Sequence, residues 1–139
     1  MTDDPVRELE SAECWTELRT AALGRLALCV GGEIDIFPIN FVVDDDDVIY
    51  LRTAPGTKLL ELSINDHVAL EIDRVSDADA VSVVVKGRAE RVEVQSEMDA
   101  AEQLGLQPWI PTLKYRWVRI RPETVSGRAF VRGPEPTRE

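Results

Sequence analysis

Histidine is nearly absent from this 139-residue chain, and cysteine is scarce: His67, Cys14 and Cys29 are the whole complement. Two cysteines cannot build a disulfide framework, and they lack the spacing of a metal site. A zinc site would have to be mostly carboxylate, which zinc rarely accepts. Any Ser-His-Asp or Cys-His machinery would have to use His67. It follows Asn65-Asp66 and reads as part of a solvated turn ahead of a strand. Both cysteines read as buried apolar side chains. Missing too is any apolar run near the roughly 20 residues that span a bilayer. The opening Met1-Thr-Asp-Asp-Pro-Val shows no basic-then-apolar secretion signal. The expectation is therefore a cytoplasmic protein with no membrane partner. Positive charge is in short supply, with 16 Lys and Arg against 26 Asp and Glu and a net charge of −10. That balance argues against a nucleic-acid partner. With side-chain acid–base groups so few, an enzyme on this chain would lean on a borrowed cofactor.

The charge is uneven. Residues 1–79 hold 6 basic and 18 acidic side chains, and residues 80–139 hold 10 and 8. Lys114, Arg116, Arg119, Arg121, Arg128 and Arg132 stand against Glu123 alone between 114 and 132. Such a tail either holds an anion or neutralises the acidic half or a partner subunit.

The apolar content, 44%, suits one core. Cys14, Trp15, Leu18, Ala21 and Ala22 recur at helical spacing behind Ser11 as N-cap, with Gly24 as the stop. Arg25–Val30 reads as a strand, Gly31-Gly32 as a two-residue hairpin turn, and 33–43 as the return strand. Pro38 makes that strand an edge or bulges it. Asp44–Asp47 lacks the ligand alternation of a calcium loop and reads as a solvated tip. Strands follow at 48–52, 68–72 and 80–92, a short helix at 58–62 and an acidic helix near 96–104. A loop is expected at 107–111, then strands at 115–121 and 125–131. Short hairpin-linked strands with a few helices predict an α+β fold built on an antiparallel barrel. Residues 1–10 are expected as an N-terminal tail, 11–131 as one domain and 132–139 as a disordered tail.

Two segments carry chemistry. In Arg52-Thr-Ala-Pro-Gly-Thr-Lys58 an arginine closes a strand, Gly56 allows a turn, Thr57 caps a helix and Lys58 sits in its first turn. A cation there is unfavourable unless an anion is present. Exposed amides, hydroxyls and two cations meeting at one point suit a phosphate. The competing reading is an ordinary strand–turn–helix with solvated Arg and Lys. In Val83-Val-Val-Lys86-Gly87-Arg88 two cations share a strand face after an apolar run, and Gly87 would admit a planar group to the backbone. An edge strand with solvated basic residues is the alternative.

Six segments in order carry a resemblance: Gly24-Arg-Leu-Ala, Phe37-Pro-Ile-Asn40, Leu51-Arg-Thr53, Gly56-Thr-Lys58, Val85-Lys-Gly87 and Arg119-Ile-Arg-Pro122. Together they resemble the pyridoxamine 5′-phosphate oxidase-like, FMN-binding split-barrel family over roughly residues 9–130. Within it the chain looks like the small actinobacterial members related to the nitroimidazole-resistance reductases. The resemblance implies a split β-barrel homodimer with FMN in a cleft between subunits. It implies phosphate contacts at Arg52, Thr53, Thr57 and Lys58. It also implies the Pro38-Ile39-Asn40 backbone along the isoalloxazine ring, and Lys86 at the pyrimidine edge. Tyr115 and Arg119, spaced with Ile120 and Pro122 as in the family, would reach the flavin held mainly by the other subunit. Three positions depart from the vitamin B6 oxidases, which have Arg, Lys and Gln where this chain has Pro38, Val43 and Ser82. Their longer pyridoxal-phosphate-binding C-terminal part also has no counterpart. The pyridoxamine oxidase reaction itself is thus not expected. The implied function is a flavin-dependent oxidoreductase acting on a small planar substrate, with no catalytic side chain assigned. A 5-deazaflavin-dependent reductase and a non-catalytic flavin- or haem-binding protein are the alternatives.

Overall fold

The structure is a computed structural model and describes residues 5–54, 67–106 and 115–133. The chain runs β1 (Val6–Glu8), α1 (Ser11–Thr20), β2 (Leu23–Val30), β3 (Glu33–Asn40), β4 (Val42–Val43), β5 (Ile49–Thr53), β6 (His67–Val75), β7 (Asp79–Arg91), α2 (Gln95–Glu102) and β8 (Arg116–Val131). All pairings are antiparallel, in the spatial order β3-β2-β6-β7-β8-β5-β4, with β1 added against β8. β3 and β4 lie at opposite ends of that order, yet Phe41 alone separates them in sequence. The sheet must therefore curl until its two ends meet, and Phe41 is buried where they do. This is the α+β split barrel expected from the sequence.

Strict alternation decides which side chains fill it. Leu26 and Leu28 of β2, Val68, Leu70 and Ile72 of β6, Val81, Val83 and Val85 of β7, and Val118 and Ile120 of β8 all point inward. Ile49 and Leu51 of β5 complete the lining, and α1 lowers Cys14, Trp15 and Leu18 onto the same core. Burying each such Leu, Ile or Val fully is worth about 1.5–3 kcal/mol. A smaller cluster lies outside the barrel, where α2 shields Val92, Ala101 and Trp117.

Several local expectations change. Glu10 rather than Ser11 caps α1, with its N–H donating to the Glu13 carboxylate. Gly24 belongs to β2 instead of stopping the helix, and His67 opens β6 instead of ending a turn. Residues 6–8, read as tail, pair in β1 with Arg128–Phe130. Pro38 sits on an edge strand, as its missing N–H requires, but its register with Arg25 is regular and the strand is not bulged there. Gly31 and Gly32, with φ of 59° and 79°, make the hairpin turn in the left-handed region that L side chains resist. The expected break between two late strands does not occur: β8 runs unbroken for 16 residues through Pro122. The irregularity is a bulge within it: consecutive Lys86 and Gly87 of β7 pair with Thr124 and Pro122, which leaves Glu123 of β8 as the extra residue. There a Cβ on Gly87 would come within 2.2 Å of the Arg121 carbonyl oxygen. Gly87 thus admits the backbone of β8, not a planar ligand. The expected helix at 58–62, the loop at 107–111 and the tail beyond residue 133 lie outside the described residues.

Candidate functional site

Because Ile49 and Leu51 face the core, Tyr50 and Arg52 face outward from β5. The β5–β8 register sets Tyr50 opposite Arg119 and Arg52 opposite Trp117. Outward-facing residues of the two strands therefore form one cluster, roofed by α2. Trp117 is its centre, 4% exposed. Tyr50 meets it edge-on at 6.4 Å and Tyr115 at 6.1 Å, with ring planes at 76° and 87°.

Arg52 is held face-on by this aromatic group. Its guanidinium carbon lies 4.2 Å from the Tyr115 ring centroid and 5.7 Å from that of Trp117, both inside cation–π range. Its Nε is buried and has no hydrogen-bond partner among the described residues. A buried N–H on a cation without an acceptor is costly, and an anion could supply that acceptor. Glu102, the last residue of α2, ties the rings down: it accepts from the Tyr115 hydroxyl and, at 3.1 Å, from the Trp117 indole N–H. Glu102 also holds the Tyr115 phenol above its ordinary pKa, assisted by burial and opposed by Arg52.

Arg119 is differently placed. Its side chain is 13% exposed and is saturated by carboxylates, with Nε 2.5 Å from Glu90 and Nη1 2.6 Å from Glu97. Arg121 adds a second cation to Glu90 at 2.8 Å. The Glu90 carboxyl is held below the usual range, by Arg119 first and Arg121 next. The β7–β8–α2 joint thus uses Arg119 internally.

The remaining sequence-predicted residues fall elsewhere on the chain. Lys86 is exposed, pairs in register with Ala69 and Thr124, and has no carboxylate partner among the described residues. Thr124 lies seven residues along β8 from Trp117, so Lys86 and Arg52 are roughly 20 Å apart at the rise of a strand. Arg88, on the same face, is paired with Glu123 at 3.6 Å. Pro38, Ile39 and Asn40 end β3 where Phe41 joins it to β4, and Val42 of β4 pairs with Tyr50, so this end of β3 comes round beside β5; Ile39 packs against the core. Thr53 ends β5 beside Arg52. Thr57 and Lys58 lie outside the described residues, so the convergence of Arg52 with Lys58 does too. Sequence reasoning missed Tyr50, Trp117 and Glu102. Its available signal was the alternation Tyr50-x-Arg52 and Tyr115-x-Trp117-x-Arg119 on two strands, which becomes a site only once the register is known.

An antiparallel sheet curled until its end strands meet, with short helices on its outside, defines a class, the split-barrel proteins. Residues 10–129 match the family described as pyridoxamine 5′-phosphate oxidase, and the chain belongs to that family. It is similar to a Corynebacterium glutamicum protein provisionally designated a pyridoxamine 5′-phosphate oxidase, at 45% identity and TM-score 0.88, over 97% of this chain and 100% of that one. The FAD binding protein of Mycobacterium smegmatis is 39% identical with TM-score 0.81, over 91% of this chain and all of its own. A FAD-binding protein of Mesorhizobium loti is 28% identical with TM-score 0.74, over 89% and 97%.

Proposed function

We propose that this protein is a flavin-dependent oxidoreductase that acts as a homodimer on a small planar substrate, with FMN as the simplest cofactor that carries both ring and phosphate. The observation that carries this reading is Arg52: a cation stacked on Tyr115 whose buried Nε has no acceptor among the described residues. A phosphate would supply that acceptor and a charge to match. The residues present fit such a group, with Thr53 adjacent and Thr57 and Lys58 following in sequence. The flavin-binding names of two relatives support the ring. Bound flavin would supply hydride transfer, which suits a chain with one histidine.

The chain's own residues bind, orient and shield. Arg52 fixes the phosphate end. The outer face of β3 offers Pro38 and Asn40 for the ring, and Lys86, with no carboxylate partner among the described residues, would stabilise negative charge at a ring edge. A second subunit would bring its own Lys86 or outer β3 face to complete the cleft. The same outer face displays Ile34 at 73% and Ile36 at 65% exposure, beside Ala27 and Cys29 of β2, the apolar character of an association surface.

Titration of FMN followed by quenching of its fluorescence tests the reading. Arg52→Ala should weaken binding by about 1.5–3 kcal/mol, the worth of a charge-assisted hydrogen bond. Unchanged affinity would remove the phosphate assignment. A 5-deazaflavin coenzyme that binds where FMN does not would transfer the same site to the other cofactor.

A further inference from the structure

We infer that Glu102 is a positioning residue for the anion site at Arg52, acting through the two rings on which the guanidinium rests. This inference rests on the reading of Arg52 as the phosphate contact. One oxygen of Glu102, Oε1, accepts from both the Tyr115 hydroxyl and the Trp117 indole N–H. Those rings stand edge to face at 87° and flank Arg52 at 4.2 and 5.7 Å. A phenyl or phenol ring alone can spin and tilt about its side-chain bonds. Anchoring Tyr115 at its far end, by its hydroxyl, removes the tilt. The stacked guanidinium then keeps one plane, and its N–H edge keeps one direction. The anchor comes from the end of α2, so the helix sets the direction in which Arg52 presents its donors. Glu102 is engaged by the rings and makes no ion pair with Arg52. The carboxylate holds the rings, and no carboxylate among the described residues pairs with the cation.

A positioning role separates from two others. Were Glu102 a competing anion for Arg52, removing its charge would tighten binding. Were it only part of the packing of α2, its loss would act on stability and leave Arg52 unaffected.

The experiment measures FMN affinity, with FAD in parallel, for the full-length wild type, Glu102→Gln, Glu102→Ala, Tyr115→Phe, Arg52→Ala and the Glu102→Ala/Arg52→Ala double variant. Near-ultraviolet circular dichroism reports the aromatic cluster, and thermal melting checks folding. Glutamine keeps an acceptor oxygen, so Glu102→Gln should bind within about twofold of wild type. Glu102→Ala and Tyr115→Phe should each weaken binding roughly three- to tenfold, the range of one hydrogen bond. In Glu102→Ala the aromatic dichroism should diminish, and on the Arg52→Ala background the change should have no further effect on affinity. Tighter binding by Glu102→Gln, full affinity in Glu102→Ala beside a weak Arg52→Ala, or additive losses in the double variant would each overturn the role of Glu102 and leave Arg52 as the phosphate contact. Wild-type affinity in Arg52→Ala would overturn the reading on which the inference rests.

Discussion

Gly87→Ala should be among the most damaging single-methyl additions to this chain. The new Cβ would sit 2.2 Å from the Arg121 carbonyl oxygen and 3.0 Å from both Arg121 C and Pro122 Cα. Ordinary contact begins near 3.4 Å, so about 1 Å of relief is needed. All three obstacles are backbone of β8, which no side-chain rotation can move. Overpacking where side chains can yield costs about 1–3 kcal/mol. Here the ladder itself must open, and each lost hydrogen bond adds about 0.5–1.5 kcal/mol. The expected loss is therefore about 3 kcal/mol or more. At about 3–4 °C per kcal/mol for a chain of this size, the melting temperature should fall by roughly 10 °C. Gly87 is not among the positive-φ glycines, so the effect is one of space and not of backbone conformation. Gly133→Ala is the control, because a Cβ there meets nothing within 4 Å, and it should shift stability by no more than about 0.5 kcal/mol. Paired thermal and urea unfolding of the two variants decides the matter. A Gly87→Ala protein that melts within 2 °C or so of wild type would refute the account of the bulge as a close approach of two strands.

Glu90 sets an acid limit on the β7–β8 joint. Its carboxyl is held down in the folded state, by Arg119 first and Arg121 next. Its stabilisation is therefore complete above the ordinary glutamate value and is lost as pH falls through the lower folded value. Wild-type stability should drop below about pH 4, and Glu90→Gln should be weaker at neutral pH and less sensitive to acid; equal pH profiles would contradict the pairing. Ile36→Asp, at a 65% exposed position, should leave the melting curve of a monomer intact and halve the mass seen by sedimentation. A wild type that sediments as a monomer at every concentration would remove the shared cleft. Cys14 is buried and its thiol is pushed up, by burial first and by Glu13 next, whereas Cys29 is half-buried. Cys14 should therefore react with a disulfide reagent only on unfolding; two fast thiols in the native protein would contradict the placement of α1.

Much of this architecture was readable from spacing alone. The helical recurrence of Cys14, Trp15 and Leu18 marked the face α1 buries, and Val68, Leu70 and Ile72 marked the inner face of β6. Gly31-Gly32 announced its turn because few other pairs tolerate those dihedral angles. Local signals misled where tertiary pairing overrode them. Residues 122–124 read as a gap between two strands, but β8 continues through them and absorbs Glu123 as a bulge opposite Lys86 and Gly87. Lys86 and Arg88 looked alike in sequence, and only the fold brings Glu123 to one of them. The clamp around Arg52 left even less trace. Its parts come from residues 50–52, 102 and 115–117, joined by a register that no one-dimensional pattern records.

The junction at Phe41 bears on how the molecule comes into being. With one residue linking strands at the two extremes of the sheet, no hairpin formed early in folding can contain the Arg52 clamp. Its walls are brought together by contacts between remote parts of the chain, which are slow to form. Uptake of a coloured ligand by Arg52 would then double as an optical signal that the last fold of the sheet has closed.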